Sequence, residues 1–355
     1  MSDDVYTTLI GAATGLVIAV VTSFIIPFVQ RRQQKVEERR GIYERYAQPL
    51  AADAGNLLWR LDEILVKRRC QYLRSDAPPT TFNQYKLIST CYRIAAVLGW
   101  IRAIKLEQSH LFYGDQDSVE ALRCAVVSLE SALADAPEVE LQVLRNLALL
   151  WGITLLEDRP LLERIAAQLV ADLQHDLSRH QIVDPIGFVG LAAEQQRDVS
   201  RRLAQTIVRM LACPPVDENH LAQSCPMAMR ALGVRQAWIY RDWQQAIGDG
   251  MLREIDGASR RYDIVGYSVF EERFRDPKEV WSTRLRDVVI DVDATDNPDP
   301  ADCRLQQLRR VAGAIADLIC AIEDLALERK VVDGPTCALA RRMRADLSAE
   351  AACGR

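Results

Sequence analysis

The sequence has no two cysteines at C-x-x-C spacing, although it contains nine cysteines in 355 residues. Structural zinc and iron–sulfur sites usually take their ligands from such close pairs, so neither kind of site is indicated. Glycine-rich phosphate loops and the G-x-S-x-G motif are also missing, which leaves two large classes of enzyme without support. Positive charge is not in excess, because the formal net charge is -5. This charge argues against nucleic acid as a partner.

Histidine and strand-like patterns are scarce. Only four histidines occur, and the nearest two, His175 and His180, are five residues apart rather than at the four-residue spacing of a helical metal pair. Apolar and polar residues do not alternate convincingly anywhere, whereas apolar residues recur at three and four along most of the chain. The sequence therefore predicts an all-α fold with no metal site and no cofactor.

Charge is absent from one long segment, the 26 residues between Asp4 and Arg31. About twenty helical residues cross the hydrocarbon core of a bilayer. Acidic residues precede the segment, and it is too long for the apolar core of a signal peptide. We therefore predict an uncleaved transmembrane helix at 8–30, after a short extracytoplasmic N-terminus at 1–7. Because cations follow the segment from Arg31 to Arg40, the positive-inside rule predicts a single-pass protein of the cell inner (plasma) membrane with a cytoplasmic body.

Small residues recur at every fourth position of the predicted span and form one ridge along the helix. They are Gly11, Gly15, Ala19 and Ser23. Such a ridge permits close approach of a second helix, and it predicts a homodimer formed through the membrane. The alternative is that glycine and alanine are simply frequent in membrane helices.

The cytoplasmic part is predicted to be a bundle of about eight to ten helices. A basic juxtamembrane helix is expected at 31–48, with Pro49 marking a new start or a kink. Prolines and polar clusters indicate a linker at 213–234, which would separate a helical domain at 49–212 from a second one at 235–329. A tail helix at 330–355 has little apolar periodicity, and we expect it to be mobile.

Four short segments carry a resemblance that spans most of the predicted cytoplasmic part. They are Pro49–Leu61, Tyr92–Ile101, Tyr240–Asp249 and Gly266–Arg273. These segments resemble the blocks of an uncharacterised bacterial family of single-pass, membrane-anchored helical proteins. The resemblance implies an anchor followed by helices, and it implies no activity. The family pattern usually has Glu where Trp243 stands here, which weakens any acidic role at that position.

The segment Val288–Thr295 matches the hhhDxDxT signature of the haloacid-dehalogenase phosphatases, in which two aspartates act around Mg²⁺. That fold requires a parallel sheet and further residues well downstream. Only sixty residues follow Thr295, and their pattern is helical. We therefore interpret the segment as an acidic loop between helices.

The polar and aromatic block from Trp238 to Met251 is the best candidate for a ligand or partner site. Arg241 offers a planar fork for a carboxylate or phosphate, and Gln244 lies on another face of the same predicted helix. Tyr267 and Arg273 complete the candidate set. The alternative is ordinary helix packing, in which Arg241 is paired with an acid and Gln244 caps a neighbouring helix.

These patterns favour a membrane-anchored cytoplasmic interaction or scaffolding protein with an unknown protein partner. We expect no enzymatic activity, because no set of residues has the spacing of a catalytic site. Two alternatives stay open. One is a ligand sensor or enzyme with a polar interhelical pocket around Arg241, and the other is a membrane-bound effector of a stress or defence system.

Overall fold

The computed structural model describes residues 26–108, 117–182, 185–233, 238–256, 260–295, 304–324 and 330–353. These residues are mostly helical, which confirms the predicted all-α class. The described ranges contain twelve α-helices, more than the number predicted. In chain order they are α1 (Ile26–Leu65), α2 (Thr81–Gln108), α3 (Asp117–Ala134), α4 (Ala136–Leu150), α5 (Arg159–Arg179), α6 (Ala193–Leu211), α7 (Glu218–Gly233), α8 (Arg241–Met251), α9 (Tyr267–Arg275), α10 (Val280–Val289), α11 (Arg304–Glu323) and α12 (Gly334–Cys353).

A small antiparallel hairpin interrupts the helices between α8 and α9. Its strands are β1 (Leu252–Glu254) and β2 (Tyr262–Ile264), and Leu252 pairs with Ile264. These strands differ from the all-helical prediction. Each has only three residues, which is too short for an alternating pattern to be recognised.

The predicted transmembrane segment lies mainly outside the described residues, and so do Gly11, Gly15, Ala19 and Ser23. The anchor and its dimer ridge therefore stay predictions. Among the described residues, only Thr81–Glu107 is long and apolar enough to cross a membrane. Of its most apolar window, 78% is buried inside the fold. Its composition is therefore that of a helix in the core of the body.

Helix α1 has 40 residues and continues through Pro49, where a new start or a kink was predicted. Proline lacks the backbone donor that would bond the preceding turn. However, Tyr46 and Leu50 on either side of it are fully buried, so tertiary packing stabilises the helix across the missing bond. At about 1.5 Å per residue, α1 is about 60 Å long.

Helices α1 and α2 run antiparallel at the centre of the first apolar cluster. Arg60 donates to Thr90 Oγ1 at 2.9 Å near one end of the pair, and Tyr46 donates to Glu107 Oε1 at 2.5 Å near the other. Helix α3 and residues after Ile239 complete this cluster. Met343 of α12 is one of its buried residues, so the tail that was expected to be mobile contributes to the core.

Two glycines allow α2 and α8 to approach closely. A Cβ atom on Gly99 would lie 2.8 Å from the Met251 Cβ atom. On the other helix, a Cβ atom on Gly248 would lie 2.8 Å from the Arg102 Cβ atom. Such distances leave no room for any larger residue unless the helices move apart.

Helices α4 to α7 and the 3₁₀ turn Pro185–Gly190 surround the second apolar cluster. The chain enters this cluster after α3 and leaves it before α8, so the second cluster is an insertion within the first. The segment 213–234, predicted as a linker, contains α7, and its Met229 and Leu232 are buried in the second cluster. Pro226 lies inside this helix, so neither it nor the polar clusters mark a boundary.

Candidate functional site

Arg241 begins α8 where the chain leaves the second cluster. Its Nη2 atom lies 3.0 Å from Ser131 Oγ and 3.3 Å from Asp135 Oδ2. Because Asp135 connects α3 to α4, this ion pair ties the entry of the second cluster to its exit. We call this region, Ser131–Asp135 together with Trp238–Gln244, the neck.

The side chain of Gln244 also forms hydrogen bonds within the neck. Its side chain is 3% exposed, and its Nε2 atom donates to the carbonyl of Glu130 at 2.8 Å and to that of Ile239 at 2.7 Å. From α11, Gln307 donates to the carbonyl of Leu133 at 2.8 Å. These bonds correspond to the packing alternative for Arg241 and Gln244, since their polar groups join the helices.

Tyr267 and Arg273 lie elsewhere in the first cluster. The Tyr267 ring is 5.5 Å from the Tyr85 ring and 5.7 Å from the Tyr92 ring. Burial, assisted by the charge of Glu271, raises the pKa of Tyr267 to about 12, so its hydroxyl stays protonated near neutral pH. Arg273 donates to the carbonyl of Gly250. Within the described ranges, the ring contacts of Tyr267 and the hydrogen bond of Arg273 are made with residues other than Arg241 and Gln244.

The acidic segment after α10 forms a loop, as predicted, in the part that the structure describes. Asp291 Oδ1 accepts a hydrogen bond from the Ser75 amide at 2.6 Å, and Asp293 Oδ1 accepts one from the Thr295 amide at 2.9 Å. Both carboxylates thus satisfy backbone donors. The sheet found in the described ranges is a two-stranded antiparallel hairpin rather than the parallel sheet of the phosphatases.

A polar cavity of about 530 Å³ lies between α5 and α6, and we call it the α5–α6 groove. It is lined by Asp172, His175 and Asp176 of α5, and by Arg202, Gln205, Thr206, Val208 and Arg209 of α6. On each helix the polar residues recur after three or four positions, with one adjacent pair in each set, which places them along one stripe. The groove therefore forms where the polar faces of two helices meet at the surface of the second cluster.

Asp176 is the most buried charge in this groove, with 1% of its surface exposed. Its Oδ1 atom pairs with Arg202 Nη2. Burial raises the pKa of Asp176, while the charges of Arg202, His180 and His175 oppose the shift. The Asp176 Oδ2 atom and Arg202 Nε are buried and have no hydrogen-bond partner in the described part of the chain. Buried polar atoms of this kind normally bond to water or to a ligand.

Some of the remaining groove residues are hydrogen-bonded within the fold, and others have side chains that are open to a ligand. Asp172 is bonded, because it accepts from Thr206 Oγ1 at 2.5 Å and from Gln168 Nε2 at 2.9 Å. The side chains of Gln205 and Arg209 are exposed. No group of three or more metal-ligating side chains in the described ranges is arranged to hold a metal ion. The groove is thus a polar site in which open donors outnumber open acceptors.

No family model, curated protein or solved structure matches this chain. The resemblance to a membrane-anchored bacterial family therefore stays a prediction from short motifs.

Sequence reasoning missed the α5–α6 groove, although a signal was present. His175 and His180 are five residues apart, and this spacing does not fit a helical metal pair. The informative spacing runs from Asp172 to His175 and Asp176, three and four positions on, and similar spacing recurs on the next helix from Arg202 to Arg209. Two consecutive helices with polar stripes at such spacing predict a polar interface if the helices pack side by side.

Proposed function

We propose that this protein is a membrane-anchored helical interaction protein whose body lies on the cytoplasmic side. The observation that carries the proposal is the continuity of α1. Residues 26–30 end the long uncharged segment, and the same helix continues to Ile64, which is fully buried in the first cluster. A helix shared by the anchor and the core would fix the body relative to the bilayer.

On this proposal, the end of the body near the C-terminal end of α1 faces away from the membrane. The chain arrives beside Glu107 and the hairpin, and α1 ends beside the start of α2. Several large apolar side chains are exposed toward that second end, and we call them the distal patch. They are Trp59, Val66, Phe82 and Tyr85, with exposed fractions of 40%, 53%, 64% and 46%.

Cations accompany the rings of the distal patch. Lys67 Nζ lies 5.5 Å from the centre of the Trp59 ring, and Lys86 Nζ lies 5.8 Å from that of Phe82. Aromatic side chains are enriched at surfaces that bind other proteins, whereas lysine is depleted there, so the exposed rings are the feature that points to an interface. The distal patch therefore supports docking of a protein partner on the side turned away from the bilayer.

The native exposed thiol of Cys124 provides a test of the anchor and its orientation. We expect the full chain to sediment with membranes and to react at Cys124 with an impermeant maleimide in inside-out vesicles but not in right-side-out vesicles. A Cys124→Ser variant measures the background from the other cysteines. Recovery in the aqueous fraction would refute the anchor, and labelling in right-side-out vesicles would refute the orientation.

The interaction role is tested by substituting the distal patch. Phe82→Ser should remove a protein cross-linked to the wild-type chain in intact membranes. Leu149→Ser is the matched control, because Leu149 is 65% exposed on α4 in the second cluster. If the two variants cross-link the same proteins in the same amounts as wild type, the distal patch is not the docking surface.

The predicted membrane dimer requires a separate experiment. We expect a Ser23→Cys variant to form a disulfide-linked dimer in membranes more readily than a variant with cysteine at a lipid-facing position of the same span. Equal cross-linking at both positions would refute the ridge as a dimer interface.

A further inference from the structure

The α5–α6 groove contains an acceptor and a donor that the fold leaves without partners. Asp176 and Arg202 both line the cavity, and the buried atoms Asp176 Oδ2 and Arg202 Nε form no hydrogen bond within the described ranges. A side chain that is 1% exposed and still lacks a partner for one oxygen points to a bound group that completes its bonding. That group must donate to Asp176 and accept from Arg202.

The charges of the groove side chains that are open to a ligand limit which chemical classes of ligand can bind. Asp172 is already bonded to Thr206 and Gln168, and one oxygen of Asp176 is paired with Arg202. The open groups that remain are mainly donors, and among them Arg209 has a guanidinium fork suited to an oxyanion. A ligand that is anionic and also carries hydroxyl donors would match both kinds of group.

The spacing of these groups sets the length of the ligand. Arg202 and Arg209 are seven residues apart on α6, which corresponds to about 10 Å along the helix axis. The volume of about 530 Å³ lies within the range of small-molecule sites. We propose that the groove binds a phosphorylated polyol, with the phosphate on Arg209 and hydroxyl groups donating to Asp176. This site is independent of the proposed docking function.

Calorimetry on the full chain in detergent micelles, with glucose 6-phosphate as the probe, tests this assignment. We expect glucose 6-phosphate to bind more tightly than either glucose or inorganic phosphate, because only the ester reaches both ends of the groove. Arg209→Gln should weaken its binding by about tenfold or more, the typical effect of losing a charge-assisted hydrogen bond. Arg145→Gln is the matched control, since Arg145 is exposed on α4 and does not line the groove.

A second variant separates the two ends of the groove. Asp176→Asn keeps the shape of the side chain and removes its negative charge. It should reduce the preference for glucose 6-phosphate over inorganic phosphate, because the hydroxyl groups lose their charged acceptor. Circular dichroism on both variants verifies that each remains folded.

A phosphate with hydroxyl groups could belong to a lipid headgroup or to a soluble ester. Vesicles containing phosphatidylglycerol distinguish these two ligands. Binding to these vesicles that depends on Arg209, without binding of glucose 6-phosphate, would support the groove and assign it to the headgroup. The proposal is overturned if neither probe binds. It is also overturned if Arg145→Gln weakens binding as much as Arg209→Gln, or if Asp176→Asn leaves the preference for the ester unchanged.

Discussion

Asp62 in the first cluster and Asp176 in the second are both almost completely buried, but their charges are compensated differently. Asp62 pairs with Lys67 Nζ at 2.7 Å and with Arg342 Nη2 at 2.8 Å, so each of its oxygens faces a cation. Asp176 pairs with Arg202 through one oxygen and leaves the other beside a cavity. The first carboxylate ties α1 to α12, and the second leaves bonding capacity for a ligand.

The same contrast extends to the packing of the two clusters. Aromatic rings contact one another repeatedly in the first cluster, as in the pairs Tyr46–Trp100 and Tyr92–Phe270. The second cluster is mainly aliphatic, with Trp151 and Phe188 as its large rings. It contains both the α5–α6 groove and a crevice of about 10 Å³ next to Leu203. In the described ranges, the groove of the second cluster thus has the volume of a small-molecule site, whereas the crevice has room for about one water molecule.

Truncation of one core leucine in each cluster should have the largest effect and would test whether the clusters are separate. Leu61 on α1 and Leu203 on α6 are 0% and 1% exposed. Each change to alanine should lower the free energy of unfolding by about 2–5 kcal/mol. Hydrogen exchange should show lost protection mainly in the cluster that carries the substitution. If Leu203→Ala deprotects α1 and α2 as strongly as α5 and α6, the clusters form a single cooperative unit.

Methyl groups added to α8 would test the rigidity of the first cluster. Gly248→Ala places a Cβ atom against Arg102 and should lower the free energy of unfolding by about 1–3 kcal/mol. Gly250→Ala is its control, because nothing lies within 4 Å of the added atom, and alanine favours a helix by up to about 1 kcal/mol. Urea denaturation measures both. Equal shifts in the same direction would show that α2 and α8 separate easily.

The bonds around Glu107 give the first cluster a dependence on pH. Burial opposes ionisation of Glu107, but hydrogen bonds from Tyr46, the Arg261 amide and Arg45 outweigh it and lower its pKa below 4.5. A carboxylate with a lowered pKa stabilises the fold above its unfolded pKa, and this stabilisation is lost as the pH falls through the folded pKa.

Substitution of Glu107 should therefore reduce the loss in the free energy of unfolding that occurs as the pH falls. Glu107→Gln is expected to lower the free energy of unfolding at neutral pH by about 1–2 kcal/mol, the scale of hydrogen bonds to a charged group. Below pH 4.5 the difference from wild type should shrink, and thermal unfolding at a series of pH values measures it. A difference that stays constant with pH would exclude ionised Glu107 as the cause.

The smallest effect is expected at the neck. Arg241 and Asp135 have side chains that are 45% and 39% exposed, so solvent screens their ion pair. Arg241→Ala should lower the free energy of unfolding by less than about 1 kcal/mol. Differential scanning calorimetry at low and high salt measures it. A loss of several kcal/mol would mean that this pair, rather than buried Gln244 and its carbonyl partners, joins the two clusters.

Local chemistry made part of the fold predictable from the sequence. Asp158 followed by Pro160 is the pattern of a helix cap and a first-turn proline, and α5 begins at 159, where the Leu161 amide donates to Asp158 Oδ1 at 3.2 Å. Proline was misleading when tertiary packing outweighed its local effect, as at Pro49 and Pro226 inside α1 and α7.

The candidate site was less predictable than the helices, because its partners are distant in sequence. Arg241 was recognised as a versatile side chain, but its pairing with Asp135 depends on a contact across 106 positions. The pairing of Asp176 with Arg202 requires that α5 and α6 lie side by side. Residue types and spacing indicate a polar face, and only the packing of helices determines which polar faces meet.

The neck has a consequence for the order in which the chain acquires its structure. The Ile239 amide donates to the carbonyl of Leu133 at 3.4 Å, so the two ends of the inserted cluster are adjacent. During synthesis, α4 to α7 emerge before the C-terminal helices that complete the first cluster, because domains generally fold as units while the chain is made. The second cluster can therefore finish folding before the C-terminal helices that pack against α1 to α3 have been synthesised. Closing the first cluster then joins segments separated by roughly a hundred residues, which makes that closure the slower event.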